Sequence, residues 1–254
     1  MKYFIITKRG IFIAVMLVLT GIILIAALGE EHSVSTAAGT KRSIPVYCVQ
    51  TDEKKLAVTF DAAWGAEDTQ QLIEILKEYN AKATFFVVGT WAEKYPDSVK
   101  AFYDAGHEIA NHSYDHTLYG KLPKQHIKED IEKCNSAIQS ITGEKPRLLR
   151  APSGEYTEDS EAAAAELGMR TVQWSVDSLD WQGLSSEDIV RRVLNASGNG
   201  SILLFHNDVK NTPAALKEIL SQLSEKGFSF VSVSELLYSD NYIIDTTGRQ
   251  IKTE

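Results

Sequence analysis

The sequence is short of cysteine and of positive charge, and both shortages narrow what it can be. Cys48 and Cys134 are the only cysteines in 254 residues, and their separation matches no thiolate metal motif or redox pair. They read as two thiols, one disulfide being the alternative. Cys134 falls on an apolar helical stripe with Ile127, Ile131, Ile138 and Ile141, where packing alone accounts for it. Lysine and arginine number 26 against 34 acidic residues, a formal charge of −8, and the cations are scattered. That argues against nucleic acid as a partner. Internal repeats and low-complexity tracts are missing, and no glycine-rich phosphate loop follows the first apolar strand, which speaks against a nucleotide-binding sheet.

Long apolar runs are not lacking. Lys8 and Arg9 precede a run from Ile11 to Leu28 broken only by Thr20 and Gly21, long enough to span a bilayer. The positive flank keeps residues 1–10 in the cytoplasm and sends the rest of the chain outside. The expectation is a signal anchor at 11–28 in a single-pass membrane protein whose main domain lies outside the cytoplasm. The alternative is a cleaved signal peptide and a secreted domain, since AALG and STAAG offer small residues to a peptidase. Residues 29–45, small and polar, read as a linker, 46–240 as one domain and 241–254 as a C-terminal tail.

Within that domain short apolar runs alternate with amphipathic stretches. LAVTF precedes a helix at Thr69 to Tyr79, ATFFVVG one leading to Ala105, and HEIA one from Lys124 to Thr142. RLLR, RTVQWSV and SILLF precede helices at Asp159 to Leu167, Ser185 to Leu194 and from Thr212, and FSFVSV closes the series. Ser185 with Asp188 reads as a capping box, and Thr212 before Pro213 as an N-cap. About seven strands alternating with helices predict an α/β fold with parallel strands, an open sheet or a barrel.

The polar residues that need explaining stand at the C-terminal ends of those strands: Asp61, His112, Arg150, Asp177 and His206. In a barrel such ends converge. HSYDH sets His112 and His116 four apart, so that one helical turn aims both at a divalent metal, although two loop histidines are often only surface groups. His107 and His126 lack such a partner and read as structural. RAPSGEY joins a permanent cation, Arg150, to a tight loop able to present backbone N–H groups to an oxyanion. DSLDW supplies acids beside an aromatic wall, and LLFH ends in His206; an Asp–His pair of this kind tunes proton affinity.

In this order, TFDAAWG, HSYDH, RAPSG, DSLDW and LLFH resemble the five motifs of the polysaccharide deacetylase family, the NodB homology domain or carbohydrate esterase family 4, over about Leu56 to Leu237. The TFD-x-x-WG form and the anchor are similar to the PdaB-type sporulation members. The resemblance implies a distorted (β/α) barrel and metal-dependent hydrolysis of N-acetyl groups on an amino-sugar polymer, with cell-wall peptidoglycan or chitin-like oligomers as partner. It makes Asp61 the general base, Arg150 its partner, His112 and His116 the metal ligands, His206 the general acid and Asp180 the acid that holds it. The Ser153 N–H meets the oxyanion, Trp181 walls the pocket and Leu204 faces the acetyl methyl. Zinc is the expected metal, with cobalt or manganese as alternatives. Two positions depart from the pattern: Ala62 replaces a second metal-binding aspartate, which implies weak metal binding, and Ser153 replaces an aromatic. The competing expectation is therefore a catalytically impaired, glycan-binding protein on the same fold.

Overall fold

The computed structural model describes residues 43–253; the segment 1–10, the anchor 11–28 and most of the linker lie outside the described residues. Among the described residues no helix is long and apolar enough to cross a membrane.

The organising strand is β2 (Lys55–Ala62), buried from Leu56 onward, as an apolar run must be in a parallel sheet covered on both faces. On one side it pairs with β3 (Ala83–Val87), followed outward by β4 (Glu108–Asn111), β5 (Leu148–Leu149) and β6 (Arg170–Thr171). On the other it pairs with β8 (Ile202–His206), which carries β7 (Val176–Asp177). A further strand, β9 (Ser229–Val231), takes the start of β2 at Lys55 to Ala57, leaving Val58 to Ala62 to β3. All these pairings are parallel, as expected for a distorted barrel of about seven strands.

The distortion has a local cause. RTVQWSV, expected as one strand, is split into β6 and β7. Between them the carbonyls of Val172 and Gln173 turn to accept from the buried Arg150 guanidinium, at 3.4 and 3.0 Å, and so leave the ladder. Val46 fills the gap, donating to Thr171 O and accepting from Gln173 N–H.

Helices α1 (Thr69–Glu78), α2 (Gly89–Lys94), α3 (Pro96–Asp104), α4 (Lys124–Thr142), α5 (Glu158–Glu166), α6 (Ser186–Ala196) and α7 (Thr212–Glu225) cover the sheet, and α8 (Val233–Leu236) is a short turn after β9. The helix expected up to Ala105 is two, because Tyr95 leaves helical geometry and Pro96 starts the next. Strand alternation divides the core. Leu56, Val58, Phe60 and Ala62 join Leu72, Leu76 and Phe102 in the larger apolar cluster, while Ala57 joins Phe86, Ala110, Leu148, Ile202, Val233 and Leu236 in another. Phe85 stacks between Phe60 and Phe102 at centroid distances of 4.8 and 3.7 Å; each such burial contributes about 1.5–3 kcal/mol. Cys48 and Cys134 are both free thiols, and Cys134 is buried with Ile127, Ile131 and Ile138 on α4.

Two local expectations change. Thr212 is not an N-cap: α7 begins at Thr212 after Asn211 with no side-chain cap, and the Thr212 hydroxyl is used elsewhere. Ser185 does accept from Asp188 N–H, but the Asp188 carboxylate returns to the Ser185 hydroxyl, not to its backbone. The segment 241–254, set apart as a tail, carries β10 (Tyr242–Ile244) and β11 (Arg249–Lys252), an antiparallel hairpin whose β11 pairs with β1 (Cys48–Val49). Its Gln250 is fully buried and exchanges hydrogen bonds with the Tyr238 backbone.

Candidate active site

Register brings the first two groups together. Asp61 and His206 are Cα partners across the β2–β8 pair, one residue from the end of β2 and at the end of β8. The Asp61 carboxylate is buried and accepts from Arg150 Nη1 at 2.7 Å; its other oxygen lies 3.3 Å from His112 Nε2. Arg150 is wholly buried, with its guanidinium 3.9 Å from the Phe86 ring centroid. Burial by itself would raise the Asp61 pKa; the hydrogen-bonded Arg150 guanidinium and the nearby His206 outweigh it and hold Asp61 below the usual carboxylate range.

Arg150 also acts through its backbone. Its carbonyl can only accept, so His112 Nδ1, 2.9 Å away, carries the proton and Nε2 keeps a bare lone pair. Burial pushes the His112 pKa down to about 4, so the ring is neutral at pH 7.

His112 and His116 converge as expected, with ring centroids 5.1 Å apart, but not through a helical turn. Ser113 and His116 have φ of 67° and 63°, and the segment is a loop held by its neighbours. Asn111 Oδ1 accepts from Ser113 N–H, Ser113 Oγ from His116 N–H, and Asp130 on α4 from Tyr114 N–H and the Tyr119 hydroxyl. These supports were invisible to motif reading, because they join residues far apart in the chain.

The donor set admits a divalent cation only in part. His112 Nε2 and Asp61 Oδ2 face each other as two acceptors at 3.3 Å, close to the spacing of two donors about 2.1 Å from one tetrahedral ion. His116 stands beside them, exposed at the surface. Ala62, however, lies on the helix-covered face with Phe60, and among the described residues no cluster of three His, Cys, Asp or Glu side chains has metal-holding geometry. The residues fit a cation held weakly, not a closed three-ligand site. Among the acids near the motifs, Asp115 bonds to Thr117 and Asp208 to Gly65 N–H, and neither completes it.

The second charged pair lies beside the first. His206 Nδ1 is 2.7 Å from Asp180 Oδ1, while Asp180 Oδ2 accepts from His206 N–H and from the Thr212 hydroxyl, at 2.8 and 2.7 Å. Burial opposes a charged His206, but the hydrogen bond to Asp180 and the Asp61 carboxylate prevail and raise its pKa. Thr212 thus supports this pair, a role its Thr-Pro context disguised as a helix cap. Asp177 has a turn role, accepting from Leu179 N–H.

Each of the three expected substrate positions is near in the chain to one of these groups. Ser153 has φ of 54° in a short 3-10 turn; its N–H makes no hydrogen bond among the described residues. Trp181 follows Asp180 and is 55% exposed. Leu204, buried, lies two residues before His206 opposite Thr59. His107, read as structural, accepts from Ala83 N–H through Nδ1; His126 is exposed on α4.

Residues 49–172 match the family model for polysaccharide deacetylase. The chain is 35% identical to the uncharacterised Bacillus subtilis protein YlxY over 76% of this chain and 60% of that one. It is 36% identical to a Bacillus cereus peptidoglycan-N-acetylglucosamine deacetylase, over 74% of this chain and 91% of that one. Among solved structures it is similar to a carbohydrate esterase family 4 pseudoenzyme from Bacillus anthracis, with a TM-score of 0.74 and 32% identity over 76% of this chain and 68% of that one; a mutant of that protein has restored enzymatic activity. With its five motifs gathered at one end of a parallel, barrel-like sheet, the chain belongs to the polysaccharide deacetylase family, carbohydrate esterase family 4.

Proposed function

We propose that this protein is a carbohydrate N-deacetylase that removes acetyl groups from an amino-sugar polymer, cell-wall peptidoglycan being the substrate class. The observation that carries the reading is a pair of neighbouring ionisable groups pushed in opposite directions: Asp61 is held as a carboxylate and His206 is biased toward imidazolium. That division suits one base and one acid. Asp61 takes a proton from the attacking water, with Arg150 fixing its orientation. The acetyl carbonyl oxygen, as it becomes negative, accepts from the Ser153 N–H. His206, aligned by Asp180, delivers a proton to the departing amine. Trp181 and Leu204 wall the acetyl group. His112 and His116 would hold a divalent cation, zinc first and cobalt or manganese as alternatives, which would polarise the carbonyl. On this reading the N-terminal segment anchors the protein to the membrane with the catalytic domain outside the cytoplasm, and the role belongs to sporulation.

The test is acetate release from N-acetylated peptidoglycan and chito-oligomers by the full-length protein, with each metal and with chelator. Release that Asp61→Asn abolishes supports the proposal; no release with any metal rejects it. A second reading has its own support in Ala62, in the incomplete donor set and in the likeness to a pseudoenzyme: a glycan-binding protein without turnover. It predicts binding to the wall that is indifferent to chelator and to Asp61→Asn.

A further inference from the structure

Among the described residues four large apolar side chains are substantially exposed, Trp64, Leu118, Trp181 and Ile243. Three of them stand within three residues of Asp61, His116 or Asp180. Trp64 belongs to the TFD-x-x-WG form, which gives it no role of its own. The residue is 52% exposed, yet its ring centroid lies 5.4 Å from that of His206.

The backbone on either side of Trp64 is clamped. Ala63 N–H donates to Asn207 Oδ1 at 3.3 Å and Gly65 N–H to Asp208 Oδ2 at 3.1 Å. The Gly65 carbonyl accepts from both Asn207 Nδ2, at 2.5 Å, and the buried Trp91 Nε1, at 2.9 Å. A Cβ on Gly65 would meet the exposed carboxylates of Asp208, at 2.1 Å, and Glu67, at 2.2 Å, so a side chain there would push the Asp208 carboxylate off the Gly65 N–H. Asn207 and Asp208 directly follow His206, and Asn207 N–H also reaches the Asp61 carbonyl at 3.4 Å. One set of bonds therefore ties the backbone that bears the indole to the residues that directly follow the imidazole. Left in water, an apolar ring loses the benefit of burial, and fixing the segment that bears it lowers the entropy lost when a ligand covers it.

We propose that Trp64 is a substrate-positioning residue: its indole is the stacking platform for the pyranose ring whose amide nitrogen faces His206. The weakly polar C–H face of a pyranose packs on the indole face, and the loop clamp sets the distance between that ring and the imidazole. The inference rests on the amino-sugar reading of the site and holds whether the site turns over or only binds.

The experiment uses the full chain and two variants, Trp64→Ala and Trp64→Phe, with calorimetric binding of N-acetylated chito-oligomers and peptidoglycan fragments, and KM and kcat for acetate release. Trp64→Ala is expected to weaken binding and raise KM by about tenfold or more with kcat little changed, and Trp64→Phe to retain most of the affinity. A Trp64→Ala protein that binds like the parent overturns the inference while leaving the deacetylase reading intact, and equal losses in both variants overturn it in favour of a structural role. If the parent protein neither binds nor hydrolyses any of these glycans, the amino-sugar reading fails and the inference with it.

Discussion

Asp61 and His206 are adjacent across one strand pair and depart from their ordinary proton affinities in opposite senses. The groups facing His206 are Asp180, Asp61 and Asp177, all acidic, so its protonated form persists above the ordinary histidine range. In its proposed role of general acid it must carry its proton, and activity is therefore expected to fall as pH rises through that raised pKa. Replacing Asp180 by Asn removes the hydrogen-bonded anion. The basic limb of the pH–rate profile should then move to lower pH and the rate fall by about 100-fold; an unmoved limb would show that another group sets it. Arg150 offers a stability test. Arg150→Met leaves the Asp61 carboxylate buried without its cation, an expected loss of about 3–5 kcal/mol in urea unfolding. Adding Asp61→Asn should recover part of that loss. At this scale much was legible: Asp61, His112, Arg150, Asp177 and His206 sit at or just beyond strand ends, where chemistry is usually exposed. Thr212, Asn111 and Asp130 were not legible, since their roles depend on contacts to Asp180, Ser113 and Tyr114 that no local pattern records.

Elements were easier to place than their junctions. α4 runs from Lys124 to Thr142, as its apolar stripe predicts, whereas RTVQWSV broke in two because Arg150 claims the carbonyls in its middle. A strand pattern records which side chains are apolar, not which backbone groups a distant cation will capture. The C-terminal hairpin teaches the same lesson. Short, polar strands give little period, yet β11 lies between β1 and β10 and buries Gln250. Deleting residues 241–254 should therefore destabilise the domain by at least about 2 kcal/mol, a fall of roughly 4–8 °C in Tm. A truncated protein melting with the parent would return the segment to the status of a tail.

Across the described domain, the parallel strand ends bring the Asp61–Arg150 and Asp180–His206 pairs together beside an incomplete metal donor set. Ala62 is where the two halves of that description meet. It shares a face with Phe60 and lies in the helix-side core, so a carboxylate there is buried unless a cation draws it out. Ala62→Asp is expected to lose at least about 2 kcal/mol in chelator and to recover on adding zinc, with metal bound more tightly than by the parent. Identical melting in chelator and zinc would mean that the site has another solution. The central claim is that Asp61 and its neighbours form a working hydrolytic centre. Its most direct measurement is acetate release from N-acetylated peptidoglycan by the parent protein and by Asp61→Asn at saturating zinc. The account predicts steady release by the parent and a fall of about 100-fold or more in the variant; equal rates in the two proteins, or none in either, would contradict it.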